Sequence, residues 1–153
     1  MPYIFPPEHV LSDLFKTVQD FVEFIAIRNA QEEGIRNIEL SMGQARFNKE
    51  MRTLRIGLPR RSGNTTLALM IFQHYPSSIL IVQDQNSARE LERRPELQSC
   101  NGKSRIYSKR THVHYSQGRE NPSVVIADIF GYLTELEQQN IFNINSKAFI
   151  FLG

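Results

Sequence analysis

The chain has 153 residues, 41% of them hydrophobic and 22% charged, with a formal net charge of +2. That length suits one domain able to bury about two-thirds of the surface its unfolded chain exposes, and the balance is ordinary for a globular protein. A single cysteine, Cys100, excludes an internal disulfide framework and fits a reducing compartment, while so small a net charge excludes a uniformly basic nucleic-acid-binding surface and leaves local Lys and Arg clusters at 89–94 and 103–110.

The first residues, MPYIFPPEH, lack the basic start and apolar core of a signal peptide, and no run approaches the ~20 apolar residues of a membrane span. A cytoplasmic location without a membrane partner is therefore expected. Pro6 and Pro7 end an extended arm. Leu11, Leu14, Phe15, Val18, Phe21, Val22 and Ile25 then recur at steps of three and four, with Asp13, Lys16, Gln19, Asp20 and Glu23 between them. This spacing predicts an amphipathic helix ending near Gly34 that covers one face of a sheet. Its acidic polar face argues against a membrane-surface role. Residues 35–51 predict a short helix broken near Gly43. Residues 1–52 thus form an arm and a covering helix within the same domain as a core at 53–153.

Leu54, Ile56 and Leu58 form a β-prone run entering a loop of Pro59, Arg60, Arg61, Ser62 and Gly63, and Asn64-Thr65-Thr66 opens the helix-like LALMIFQHY. Strand, loop and helix in this order are the arrangement of a phosphate loop. Against G-x-x-x-x-G-K-[ST], Gly63 and Thr65 match, whereas Leu58 and Asn64 do not. Gly63 lets the backbone turn its N–H groups toward phosphate oxygens, and the following helix adds its positive end. Thr65 offers a hydroxyl to Mg²⁺, with Thr66 as the less suited substitute. Asn64 brings no charge where a loop Lys would, and Arg60 and Arg61 stand ready to supply it. The alternative is an ordinary Gly/Pro turn with two solvated arginines.

Pro76-Ser77-Ser78 then punctuates the chain, and SILIVQDQ reads as a buried strand with a helix behind it, capped by Asn86 or Ser87. Residues 95–122 are the least patterned, with RIYS and HVHYS as short strand candidates. His112 and His114 alternate on the second of these and are expected to be a surface pair, without further metal ligands. Pro122-Ser123-Val124-Val125-Ile126-Ala127-Asp128 is an apolar strand ending in a carboxylate, the placement that holds Mg²⁺ beside a phosphate loop. Ile129 follows where hydrolysing enzymes with this arrangement carry Glu, and Glu135 and Glu137 on the next helix are expected to lie too far away. Lys147 to Gly153 ends the chain on another continuously apolar strand.

LPRRSGNT resembles the phosphate loop of viral large terminase subunits, the ATPases that package DNA. VVIAD is similar to their Asp-bearing strand, SILIVQDQNSARELE to the strand and helix after their loop, and SKAFIFLG to the strand before their coupling motif. The resemblance covers roughly residues 53 to 153. It implies an α/β fold, a three-layer α/β/α domain with a mostly parallel central sheet of P-loop NTPase (RecA-like) type. Its last strand should be central, inserted between the loop strand and the Asp strand.

The same resemblance implies ATP and Mg²⁺ as ligands, with Pro59 to Thr66 around the nucleotide and Thr65 and Asp128 on the metal. Arg60, Arg61 and Asp128 are then the residues serving hydrolysis. Gln44 could read an adenine edge, as a glutamine upstream of the loop does in helicase-like ATPases, or be a surface residue. Expected partners are nucleotide, DNA or another nucleic acid, and other motor subunits or further copies of the chain. Three functions stay open: an ATP-binding, ATP-hydrolysing domain of a terminase-like or helicase-like motor; a degenerate P-loop module that binds without turnover; and an α/β interaction scaffold that takes no nucleotide.

Overall fold

Ile79 to Val82, Val124 to Ala127 and Ala148 to Leu152 are apolar at every position, so each strand needs cover on both faces. The computed structural model describes residues 8–30, 32–57, 63–94, 105–109, 122–129, 133–144 and 146–152. It provides that cover as three layers. The strands are β1 (Thr53–Ile56), β2 (Ile79–Val82), β3 (Ile106–Ser108), β4 (Val124–Asp128) and β5 (Ala148–Leu152). Among the described residues six helices surround them: α1 (Glu8–Ala30), α2 (Glu32–Met42), α3 (Gln44–Met51), α4 (Asn64–His74), α5 (Gln85–Glu92) and α6 (Glu135–Phe142).

The sheet order is β1-β5-β4-β2-β3, and every neighbouring pair is parallel. Alternate residues separate cleanly between the two faces. Leu80, Val82, Val124, Ile126, Ile150 and Leu152 join Leu67, Ile71 and Phe72 of α4, Leu91 of α5 and Val18 of α1 in one apolar cluster. Ile79, Ile81, Val125, Ala127, Phe149 and Phe151 join Ile141 and Phe142 of α6 in the other. The first face is thus covered by α1, α4 and α5, the second by α6 with α3 beside it.

The last strand lies where the sequence expectation put it. Phe149 to Leu152 pair with Thr53 to Ile56 on one side, and Ala148 to Leu152 pair with Val124 to Asp128 on the other. All five β5 residues are buried. A polar bracket anchors β1 at its entry. Asn48 Nδ2 donates to the Phe142 carbonyl at 2.8 Å, and Arg52 donates to Asn48 Oδ1 at 2.9 Å while its guanidinium lies 4.5 Å from the centre of the Phe47 ring. Arg28 also donates to the Met51 carbonyl, joining the end of α1 to α3.

Several boundaries differ from expectation. The first helix ends at Ala30, and Gly34 falls inside α2 instead of ending a helix. A helical Gly costs about 1 kcal/mol relative to Ala, which neighbouring Glu, Arg, Leu and Met offset by favouring helix. The break at Gly43 is present, with φ at 86°. The cap of α5 is Asp84, not Asn86 or Ser87: its carboxylate accepts from the Ser87 N–H at 2.7 Å, and β2 stops at Val82 to let this extended residue turn. RIYS supplies β3. HVHYS, His112, His114 and Cys100 lie outside the described residues. Among the described residues no helix is long and apolar enough to cross a membrane.

Removing residues 147–153 takes out the strand that both β1 and β4 lean on. Burying Phe149, Ile150, Phe151 and Leu152 with Ala148 contributes about 5–10 kcal/mol, comparable to the whole stability of a domain. The truncated protein should show no cooperative thermal transition by circular dichroism. A transition near the full-length temperature would contradict the central position of β5.

Candidate functional site

Because all strands run the same way, the segments that follow β1, β2 and β4 gather at one edge of the sheet. Gly63 begins α4 in the left-handed region, φ 96° and ψ 16°, which a residue with a Cβ enters only at a cost. Among the described residues no side chain caps this helix, whereas Asp84 caps α5 and Thr134 caps α6 through a capping box. The first turn of α4 therefore presents its positive end to whatever lies over the sheet edge.

Thr65 stands on that first turn, and its Oγ1 donates to Asp128 Oδ2 at 3.0 Å. The contact spans β5, because β1 and β4 flank that strand. Asp128 is 8% exposed. Burial pushes its carboxyl above the ordinary carboxylate range, and the Thr65 hydrogen bond pulls in the opposite direction. The sequence-predicted metal pair is therefore brought together. A hydroxyl and one carboxylate suit Mg²⁺, which keeps several waters and takes one or two carboxylates together with phosphate oxygens. Among the described residues no three His, Cys, Asp or Glu side chains converge as a metal cage. The remaining ligands would have to come from water and a bound anion.

A cavity of about 190 Å³ opens beside this pair, with Val82 and Gln83 at the end of β2 and Ser87, Glu90, Leu91 and Arg94 along α5. Sequence reasoning missed this wall. The signal was present, since Ser87, Glu90, Leu91 and Arg94 follow one another at helical steps and lie on one face. In sequence the segment reads as a helix with a local basic cluster at 89–94, and this face is not singled out. Arg89 and Arg93 are exposed and do not line the cavity. In the second basic segment, Arg105 donates to the Ser78 carbonyl at 2.8 Å and lies 4.4 Å from the centre of the Phe72 ring, while Lys109 pairs with Glu137 at 3.5 Å. Both are thus engaged within the fold.

The other predicted residues divide as follows. Pro59, Arg60, Arg61 and Ser62 lie outside the described residues. Asn64 is half-buried, and Thr66 is exposed and does not line the cavity. Ile129, next to Asp128, is buried in the second apolar cluster. Glu137 is held by the capping box and by Lys109. Its carboxyl lies below the ordinary range, chiefly because it accepts from the Thr134 N–H. Glu135 and Gln44 line a different and larger cavity, about 680 Å³, between α3 and α6. That groove includes neither Thr65 nor Asp128, and its side chains pair across it, with Lys49 donating to Gln138 at 3.3 Å. Size alone makes it the larger candidate, but the oxygen pair and the N-terminal end of α4 are at the smaller cavity. Among the carboxylates of the described residues, Glu90 shares the cavity with Asp128.

No protein-family model, no curated protein and no solved structure matches the chain.

The Asp128 carboxyl has its pKa raised by burial, so the folded state disfavours its charged form. That destabilisation is absent below the ordinary carboxylate range and complete above the raised value. Asp128→Asn keeps an oxygen for Thr65 and removes the charge. The variant should melt above wild type at pH 7, and the difference should vanish in acid. A lower melting temperature for the variant across this pH range would contradict the buried-charge account.

Proposed function

We propose that this chain is a nucleotide-binding domain that takes Mg·ATP at the C-terminal edge of its sheet. Thr65 and Asp128 hold the metal, and the first turn of α4 after Gly63 meets phosphate oxygens. Arg60 and Arg61 are assigned to neutralising phosphate charge. The observation that carries this reading is the 3.0 Å contact from Thr65 Oγ1 to Asp128 Oδ2. It joins the hydroxyl of the loop helix to the carboxylate of a strand two places away, the pair that P-loop enzymes use for Mg²⁺. Within this reading the domain resembles the ATPase of a DNA-packaging terminase or nucleic-acid translocase, acting with DNA and other motor subunits in the cytoplasm.

A second reading, binding without turnover, is favoured by the position of Ile129 in the apolar core and by the engagement of Glu137. Neither neighbour of Asp128 in sequence nor the next helix then supplies a carboxylate to polarise water.

Mg·ATP at 100 times its Kd should stabilise the fold by about 2.7 kcal/mol, raising the melting temperature by roughly 5–10 °C. No shift at millimolar nucleotide would reject nucleotide binding and leave an α/β interaction scaffold. Given a shift, phosphate release measured with and without DNA separates the readings. Release above the uncatalysed background supports the motor ATPase, and background release supports the non-hydrolysing module.

A further inference from the structure

Asn64 occupies the loop position at which a phosphate loop carries Lys, so the loop helix itself brings no side-chain charge to the end of a triphosphate. A cation is nevertheless built into the opposite wall. Arg94 lines the cavity that Thr65 and Asp128 line, and its backbone N–H donates to the Leu91 carbonyl at 3.1 Å, which ties the residue just past the C-cap of α5 back to that helix. Asp84 fixes the other end of that helix by capping it, so α5 presents its inner face at a set height above the sheet.

The size of the cavity limits what it can take. At about 190 Å³ it equals the volume of roughly six waters, taking ~30 Å³ for each. That accommodates a phosphoryl group with a partly hydrated cation. A base and sugar would have to lie elsewhere, since pockets that enclose whole small molecules begin near ~300 Å³. Charge limits it further. Among the described residues that line it, Asp128 and Glu90 bring two carboxylates and Arg94 one guanidinium, a balance that by itself disfavours a bare anion. With Mg²⁺ against Asp128, the balance turns positive and the Arg94 fork can meet phosphate oxygens.

We propose that Arg94, on the wall opposite α4 and in addition to the arginines assigned to the loop, contacts the terminal phosphate of a bound nucleoside triphosphate and so selects triphosphate over diphosphate. The proposal rests on the nucleotide reading above.

Calorimetric titration of the full chain with Mg·ATP and with Mg·ADP tests it. Arg94→Ala should weaken Mg·ATP by about 10- to 100-fold, the loss of one charge-assisted hydrogen bond, and weaken Mg·ADP much less. Arg94→Lys should recover part of the loss, and Arg93→Ala, on the exposed side of the same helix end, should leave both affinities at wild type. The melting temperature of Arg94→Ala without nucleotide is measured alongside, so that a loss of fold is told apart from a loss of binding. If wild type binds Mg·ATP and Arg94→Ala binds it equally well, the assignment of Arg94 is overturned while the nucleotide reading stands. Equal losses for Mg·ATP and Mg·ADP would also overturn it. If wild type binds neither nucleotide, the nucleotide reading fails and the Arg94 assignment fails with it.

Discussion

Parallel strands of this sheet must all leave it at the same edge, and that constraint organises both the fold and the candidate site. A strand followed by a helix that returns to start the next strand delivers each strand end to one side of the molecule. With β5 placed between β1 and β4, the helix that follows β1 crosses β5 and packs on β4. That crossing brings a short Thr side chain within 3.0 Å of the Asp carboxylate. Moving β5 to an edge would make β1 and β4 direct neighbours and alter every distance across the site. The apolar side chains of Ala148 to Leu152 therefore set site geometry as well as stability.

The same edge carries a local conflict between stability and binding. Asp128 belongs to a strand whose other four residues are completely buried, so its carboxylate is drawn into surroundings that disfavour charge. One hydroxyl donor offsets part of this. A divalent cation would offset much more, since it supplies the positive charge that burial has removed with the solvent. Asp84 offers a contrast within the same molecule. Its carboxylate is exposed, caps α5 through the Ser87 N–H and lies below the ordinary range for that reason. Two aspartates at strand ends thus have opposite environments, one suited to holding a helix and the other to holding a charged ligand.

Much of this was legible in residue order. Unbroken apolar runs at 79–82, 124–127 and 148–152 signal strands covered on both faces, because period-two alternation disappears when neither side meets water. The Asp at the end of one run and the Thr after Gly63 could be paired because a loop strand and a carboxylate strand have a known relation in parallel sheets. Helix boundaries were less legible: Gly34 punctuates in isolation, and only the surrounding helix formers decide whether it does so here. The α5 wall was not singled out for a different reason. Arg89, Arg93 and Arg94 look alike as a basic cluster, and which one borders the cavity depends on the packing of Ala88 and Leu91 against the sheet. The fates of Arg105 and Lys109 were equally hidden, since their partners Ser78, Phe72 and Glu137 are distant in sequence.

The central claim is that phosphate and metal meet between Gly63, Thr65 and Asp128. A crystal structure of the chain with a non-hydrolysable ATP analogue and Mn²⁺ in place of Mg²⁺ tests it most directly, because manganese is located by its anomalous scattering. The account predicts one manganese peak at ligand distance from Thr65 Oγ1, beside the Asp128 carboxylate, with the terminal phosphates over the first turn of α4. Nucleotide in the groove between α3 and α6, or manganese away from Thr65 and Asp128, would contradict it.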